Sequence, residues 1–105
     1  MLSLLVSCQK SNLSLNEGKA ELVSKTIGST EVEEFDKIGY TALEMLQTNH
    51  DVKLTYGNAI KCIDDICAQS GYWWPLDVNG KKASLGAQSY IVKNNDKIEF
   101  ALSKR

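Results

Sequence analysis

The sequence has very little of the residue types that most often carry catalysis or bind phosphate. Its 105 residues include one histidine, His50, one proline, Pro75, and one arginine, Arg105. A single arginine disfavours bidentate recognition of phosphate or carboxylate groups. The formal charge of −1 comes from acids and bases spread along the chain, so the sequence lacks the basic patch that nucleic-acid binding requires. We therefore expect no nucleic-acid partner.

No constellation of catalytic residues is present either. No serine lies in a Gly-x-Ser-x-Gly motif, which excludes the usual nucleophile elbow of hydrolases. His50 has Asp51 beside it, but a single histidine at this place is more typical of a solvated turn than of a general base. The pair Asp64-Asp65 lacks further oxygen donors at calcium-loop spacing and is more typical of a hairpin tip. The chain is predicted not to be an enzyme and to carry no covalent cofactor.

The sequence has no long hydrophobic run, and its apolar N-terminal segment is short. Residues 1–7 are apolar or small, and Cys8 follows them with a polar stretch. The segment Leu5-Val6-Ser7-Cys8 resembles a bacterial lipobox, in which the cysteine becomes the lipidated first residue of an exported protein. This interpretation divides the chain into a signal remnant (1–7), a polar tether (8–18) and one domain (19–105), and it anchors the domain to the cell envelope through Cys8. The alternative is a frayed apolar tail.

The two remaining cysteines, Cys62 and Cys67, are separated by four residues. If Asp64-Asp65 forms a two-residue turn, the cysteines lie directly opposite each other in a non-hydrogen-bonded pair, with Cα atoms about 4.5 Å apart. A disulfide tolerates this distance and would indicate an oxidising compartment. The alternative is two buried free thiols in a reduced cytoplasm. A lone Cys-x4-Cys has no second ligand pair for zinc, so we predict no metal site.

One short helix is clearly marked. Thr41 and Glu44 form the pattern of a capping box, and Tyr40 and Met45 occupy the positions of a hydrophobic staple. Asn49 is a candidate for a left-handed helix end. Strand patterns lie on both sides, at residues 21–27, 31–38, 52–56, 59–63, 66–68, 72–78, 81–83, 89–92 and 97–102. The expected fold class is α+β, with a mixed sheet around one helix.

Three adjacent aromatics lead from Gly71 into an Asn-Gly turn. Asn79-Gly80 is the strongest turn signal in the chain, since both residues tolerate the positive φ of a type I′ hairpin. On a regular strand Trp74 would share a face with Leu76, and Trp73 would lie on the other face. One tryptophan is therefore expected outside the core, as edge packing or as a stacking surface for a ligand. Pro75 lacks an N–H and should place this strand at a sheet edge or a bulge.

From residue 39 to the C-terminus the sequence resembles a bacterial domain of unknown function related to the C-terminal β-domain of the cobalamin carriers transcobalamin and intrinsic factor. The matching segments are Gly39-Tyr40-Thr41-Ala42-Leu43-Glu44-Met45-Leu46, Tyr56-Gly57-Asn58-Ala59-Ile60-Lys61-Cys62-Ile63, Gly71-Tyr72-Trp73-Trp74, Val78-Asn79-Gly80-Lys81, Gly86 with Tyr90, and Asn95-Asp96-Lys97-Ile98-Glu99-Phe100. The resemblance implies a transcobalamin-like β-grasp fold, with the sheet curled around the helix. It also implies ligand contacts at Tyr72, Trp73, Trp74, Asn79, Lys81, Ser84, Gly86 and Gln88.

Two hypotheses for function follow. The first is a lipid-anchored, extracytoplasmic module that binds a small ligand, for which the resemblance implies cobalamin or another corrinoid. The carriers have a large helical domain that this chain lacks, so a lone β-domain would cover one face of the ligand and bind it more weakly. The second hypothesis is a surface module in which the same aromatic strand contacts another protein. The protein is expected to contact the membrane only through the lipid anchor.

Overall fold

The computed structural model describes residues 16–105, which form ten strands and one short helix. The helix α1, Ala42–Asn49, follows the second strand. The expected α+β class with a mixed sheet is confirmed. The strands are β1 Asn16–Thr26, β2 Ser29–Ile38, β3 Val52–Leu54, β4 Ile60–Ile63, β5 Ile66–Cys67, β6 Tyr72–Trp73, β7 Leu76–Val78, β8 Lys81–Lys82, β9 Asp96–Ala101 and β10 Ser103–Lys104.

Five strands form the main sheet in the order β2-β1-β9-β7-β8. β1 and β9 run parallel, with Leu22 opposite Ile98, whereas the other neighbours in this sheet are antiparallel. The first and the last long strands of the described chain are therefore paired at the centre of the sheet. Two smaller sheets, β3-β4-β5 and β6-β10, flank it.

The hydrophobic core lies between α1 and the main sheet. Ala42, Met45 and Leu46 of the helix are fully buried, and so are Leu22 and Phe100 of the sheet. All five belong to one cluster of packed side chains. Each large side chain buried in this way contributes about 1.5–3 kcal/mol. The contact of the helix with the sheet is therefore the main source of apolar stabilisation.

The start of the helix agrees with the sequence, and its end does not. The Thr41 hydroxyl accepts from the Glu44 N–H at 3.0 Å, and the Glu44 carboxylate accepts from the Thr41 N–H at 2.9 Å, so the capping box is confirmed. The prediction that Asn49 ends the helix in a left-handed conformation is wrong. Asn49 lies within the helix, its amide donates to Glu33 at 2.9 Å, and His50 continues in extended backbone. A contact with β2 replaces the local cap.

The two predicted two-residue turns are confirmed. The first two strand patterns also form a hairpin, β1–β2, but its tip is at residues 27–28, whereas the patterns 21–27 and 31–38 placed it at residues 28–30. Asn79 (φ 55°) and Gly80 (φ 84°) connect β7 to β8, and Asp64 (φ 52°) and Asp65 (φ 69°) connect β4 to β5. Two successive residues with positive φ are what a type I′ turn requires. Both two-residue turns predicted from sequence therefore have the expected backbone.

Cys62 and Cys67 form the predicted disulfide across β4 and β5. Their Cα atoms are 4.0 Å apart, and Cys62 is buried. The Ala68 N–H donates to the Lys61 carbonyl at 2.8 Å, so the cysteines occupy the neighbouring, non-hydrogen-bonded position of the ladder. The free-thiol alternative does not describe this structure.

Two strand predictions were wrong. The predicted strand 72–78 is interrupted at Trp74 and Pro75, and its halves join different sheets: Trp73 of β6 pairs with Ser103, whereas Leu76 of β7 pairs with Phe100. The proline has no N–H to continue the ladder. The predicted strand 89–92 is irregular and has only a single bridge, between Ile91 and Thr41.

The described residues include only part of the N-terminal segment for which predictions were made. β1 begins at Asn16, so residues 16–18 of the predicted tether belong to the first strand. The rest of that tether, the signal remnant and Cys8 lie outside the described residues. Among residues 16–105, no helix has the length and hydropathy needed to cross a bilayer.

Candidate functional site

The two tryptophans occupy different environments. Trp74 is 6% exposed and belongs to the core together with Leu76. Trp73 is only partly buried and lies in β6, which pairs with β10 at the end of the chain. The expectation that one of the two indoles lies outside the core is therefore confirmed, and that indole is Trp73.

Trp73 and Trp74 form a common wall of two grooves. The first groove has a volume of about 630 Å³ and lies on the side of β3, β4 and the chain end. The second has a volume of about 340 Å³ and lies on the side of the turn region after β8. The first is lined by Leu54, Thr55, Tyr56, Ala59, Ile60, Lys61, Ala68, Tyr72, Trp73, Trp74 and Arg105; the second adds residues 57, 58, 75, 76, 82–88 and 100 to Ala59, Ile60 and the two tryptophans.

The charges around Trp73 are positive. Lys82 Nζ lies 5.1 Å from the centroid of the Trp73 ring, and Arg105 Cζ lies 5.4 Å from it. Both distances fall within the range of a cation–π interaction. Lys61 and Arg105 line the first groove and Lys82 lines the second, and none of the described residues that line either groove is acidic. The grooves therefore combine apolar walls with positive charge, which suits an apolar or aromatic ligand with hydrogen-bond acceptors or negative charge.

Six of the eight predicted ligand contacts lie in these grooves. Trp73 and Trp74 line both of them. The remaining four are Tyr72 in the first groove and Ser84, Gly86 and Gln88 in the second. The residues that the resemblance implies in the segments 72–74 and 84–88 therefore lie together around the two tryptophans, and ligand binding by them remains a prediction.

The other two predicted contacts, Asn79 and Lys81, line neither groove. The Asn79 side chain donates to the Asp96 carboxylate at 2.9 Å and accepts from the Lys97 N–H at 2.8 Å. The Tyr90 hydroxyl donates to the same carboxylate at 2.6 Å. The Asn79 side chain thus joins the β7–β8 turn to β9, which is a structural role. Ligand binding by Asn79 and Lys81 remains a prediction.

These bonds shift the pKa values of Asp96 and Tyr90. Burial alone would raise the pKa of Asp96, but hydrogen bonds from the Tyr90 hydroxyl, the Lys93 N–H and the Asn79 amide outweigh it and lower the pKa. Burial, the bond to Asp96 and the charge of Asp96 raise the pKa of Tyr90 to about 12. Asp96 is therefore a buried anion held by three donors.

Several groove residues were missed from the sequence. Tyr56 is fully exposed at the rim of the first groove and Leu54 is 36% exposed beside it. Arg105 reaches Trp73 because β10 pairs with β6. Tyr56 could have been predicted, because the segment Tyr56-Gly57-Asn58 belongs to the family resemblance and places an aromatic residue next to a turn. The position of Arg105 had no local signal.

A separate polar cluster lies around His50. Its Nδ1 is 2.5 Å from Asp64, and its Nε2 contacts Glu33. Burial of the ring acts to lower the pKa of His50, but the hydrogen bonds to Asp64 and Glu33 and the charges of both groups outweigh burial and raise it. Glu31, Glu33 and His50 also bring potential metal-ligand atoms within 4.8 Å of one another. The sequence had predicted no metal site and treated His50 as part of a solvated turn.

Comparison with known proteins agrees with the resemblance seen in the sequence. A family model described as "Domain of unknown function (DUF4430)" matches residues 39–104. No curated protein matches the chain. The structure is similar to that of a candidate metal-binding protein from Ruminococcus gnavus ATCC 29149, with a TM-score of 0.72 and 22% identity over 85% of this chain and 99% of that chain.

It is also similar to haptocorrin, whose structure was determined in complex with Cbi. The TM-score is 0.71, with 22% identity over 93% of this chain and 28% of the haptocorrin chain. At this identity, both structural matches show a shared fold. The chain spans little more than a quarter of the length of the haptocorrin chain. The family match and this structural match confirm the predicted likeness to a transcobalamin-like domain of unknown function.

Proposed function

The chain belongs to the family described as "Domain of unknown function (DUF4430)", and we propose that it is a non-enzymatic, extracytoplasmic module that binds a small ligand. The observation that carries this proposal is the position of Trp73, a partly buried indole that forms a wall of two grooves. Such an indole offers a flat stacking surface. The cations Lys82 and Arg105 lie beside its ring and add electrostatic attraction for acceptor groups.

The ligand class that we infer is a corrinoid such as cobalamin. Haptocorrin in complex with Cbi shares the fold, and we assign this fold to the β-grasp class. The first groove, at about 630 Å³, has the size of a small-molecule site. The chain matches 28% of the haptocorrin chain, and we expect this domain to cover one face of the ligand.

Binding by this domain alone should be weak. Covering the face of one indole removes about 100 Å² of apolar surface from water, which is worth about 2.5 kcal/mol. This amount is smaller than the translational and rotational entropy lost on association, about 4–15 kcal/mol. Polar contacts from the second groove, for which Ser84, Gly86 and Gln88 are the candidates, are therefore needed for measurable affinity.

Export to an oxidising compartment is the location that we propose. The disulfide between Cys62 and Cys67 supports it, since such bonds form and persist mainly in oxidising compartments. The lipobox-like segment ending at Cys8 adds an anchor to the cell envelope. Mass spectrometry of the protein from its native host tests this directly: an acylated Cys8 is expected, and a chain that retains an unmodified Met1 would refute the anchor.

Calorimetric titration with cyanocobalamin tests the ligand. We expect a saturable heat for the unaltered chain, loss of that heat in Trp73→Ala, and an unchanged heat in Ile27→Ala. Ile27 is a matched control because it is an apolar residue, 79% exposed, at the tip of the first hairpin and outside both grooves. Absence of heat at high micromolar ligand, or equal loss in both variants, would rule out the corrinoid.

Exposed apolar side chains favour the second candidate function, a protein-interaction surface. Tyr56 is fully exposed, and Leu54 and Leu85 are also exposed at the two grooves. In this case Tyr56→Ala should weaken capture of the partner while cyanocobalamin gives no heat with any variant. The two functions therefore predict opposite results in the same titration.

A further inference from the structure

β2, an edge strand of the main sheet, carries two acids on the face that is continuous with the core side of β1. Glu33 lies opposite Leu22, and Glu31 lies opposite Ser24, in the register of β1 with β2. Leu22 is fully buried, yet Val32, between the two glutamates, is 56% exposed. Successive strand residues point to opposite faces, so Glu31 and Glu33 share the face that Leu22 directs into the core. Glu33 is partly buried there, and Glu31 is exposed. A partly buried carboxylate is costly unless it is paired or binds a cation.

His50 meets these acids from the residue after α1. Its side chain is 6% exposed, and Nε2 contacts Glu33. Nδ1 lies 2.5 Å from one oxygen of Asp64, and the other oxygen of Asp64 accepts from the Asp51 N–H at 2.9 Å. A ring nitrogen held by a fixed carboxylate, with the opposite nitrogen aimed at further acids, is the arrangement that surrounds histidine ligands in metal sites.

Two residues that line a small cavity beside this cluster have buried polar atoms without partners. The cavity has a volume of about 130 Å³ and is lined in part by Glu31, His50, Ser24 and Trp74. Ser24 is 8% exposed and Trp74 6% exposed, and neither Ser24 Oγ nor Trp74 Nε1 has a hydrogen-bond partner. Buried polar groups are rarely left unpaired. Waters on a bound ion would supply the missing partners, and a cavity of this size holds several of them at about 30 Å³ each.

We propose that Glu31, Glu33 and His50 bind a divalent transition-metal ion such as Zn²⁺, with Asp64 holding the imidazole ring in position. The potential ligand atoms already lie within 4.8 Å of one another. One imidazole and two carboxylates form a mixed donor set that suits Zn²⁺, Fe²⁺ or Mn²⁺. Three protein ligands leave a coordination position for water. The site is independent of the proposed ligand grooves, since none of its three ligands lines them.

Calorimetric titration of the chelator-treated chain with Zn²⁺ is the test, and the absorption spectrum with Co²⁺ gives a second readout. We expect one ion per chain. Glu31→Gln should weaken Zn²⁺ binding by about tenfold or more, because it removes a ligand while leaving the buried contacts of His50 in place. Glu34→Gln is the matched control. It removes the same charge from an exposed side chain three residues further along β2, outside the cluster, and it should change the affinity less than twofold.

Asp64→Asn separates positioning from general electrostatics. Asparagine tolerates the positive φ of this turn residue and can still accept from the Asp51 N–H, yet it loses the charge that orients His50. We expect about tenfold weaker Zn²⁺ binding and an altered Co²⁺ spectrum. Three results would each overturn the proposal: no Zn²⁺ or Co²⁺ binding to the unaltered chain, equal weakening by Glu31→Gln and Glu34→Gln, or unchanged affinity in both Glu31→Gln and Asp64→Asn.

Discussion

Trp73 and Trp74 are adjacent in the chain, yet Trp74 lies in the core at 6% exposure and Trp73 lines the grooves outside it. Pro75 is the physical cause, because it cannot donate to a ladder and ends β6 after Trp73. β7 then begins at Leu76 in a different sheet. One interrupted strand thereby places one indole in the core and leaves the other available to a ligand.

This difference predicts unequal stability losses for the two tryptophans. Trp74→Ala should lower the free energy of unfolding by about 3–5 kcal/mol, since it leaves a cavity in the core. Trp73→Ala should lower it by about 1–2 kcal/mol, the approximate value of its cation–π contacts with Lys82 and Arg105. Urea unfolding followed by circular dichroism measures both values. A larger loss for Trp73 would place that indole in the core and remove the stacking surface.

The disulfide between Cys62 and Cys67 closes a short loop with a sequence separation of 5. Constraint of the unfolded chain by such a loop is worth about 2 kcal/mol. Reduction should therefore lower the free energy of unfolding by this amount, as measured by urea unfolding with and without reductant. The variant that carries both Cys62→Ala and Cys67→Ala is the control and should not respond to reductant. Identical transitions for the reduced and oxidised protein would contradict this prediction.

Features that depend on neighbouring residues could be predicted from the sequence. The Thr41–Glu44 capping box and the Asn79-Gly80 turn each need only a few consecutive residues, and both formed as expected. The disulfide followed from the Asp64-Asp65 turn for the same reason.

Features set by long-range pairing could not be predicted. No local pattern in the sequence predicted that Arg105 would reach Trp73, because that contact depends on β10 pairing with β6. Nor did the sequence indicate that Glu33 would contact His50, since that contact depends on the register of β2 with β1. The candidate ligand site was therefore recognised only in part, and the candidate metal site was not recognised at all.

The buried carboxylate of Asp96 predicts a loss of stability in acid. Its folded pKa is lowered, so its contribution is fully present above the unfolded pKa of about 3.9 and is lost as the pH falls through the folded pKa. Asp96→Asn should cost about 1.5–3 kcal/mol at neutral pH, and the difference from the unaltered protein should shrink as the pH falls from about 5 to about 2. Glu34→Gln is the control. A difference that stays constant with pH would show that the charge of Asp96 does not stabilise the fold.

Asn79 allows its structural and ligand-binding roles to be separated. Asn79→Gly keeps a residue that accepts the positive φ of the turn but removes the side-chain bonds to Asp96 and Lys97. Two lost hydrogen bonds, one of them to a charged group, should lower the free energy of unfolding by about 2–4 kcal/mol. Lys81→Ala, at the same turn, removes an exposed side chain and should leave stability within about 0.5 kcal/mol. Because Asn79 lines neither groove, cyanocobalamin should bind folded Asn79→Gly as it binds the unaltered chain, as measured by calorimetry well below the melting temperature. If the fully folded variant did not bind cyanocobalamin, this result would instead assign Asn79 to the ligand site.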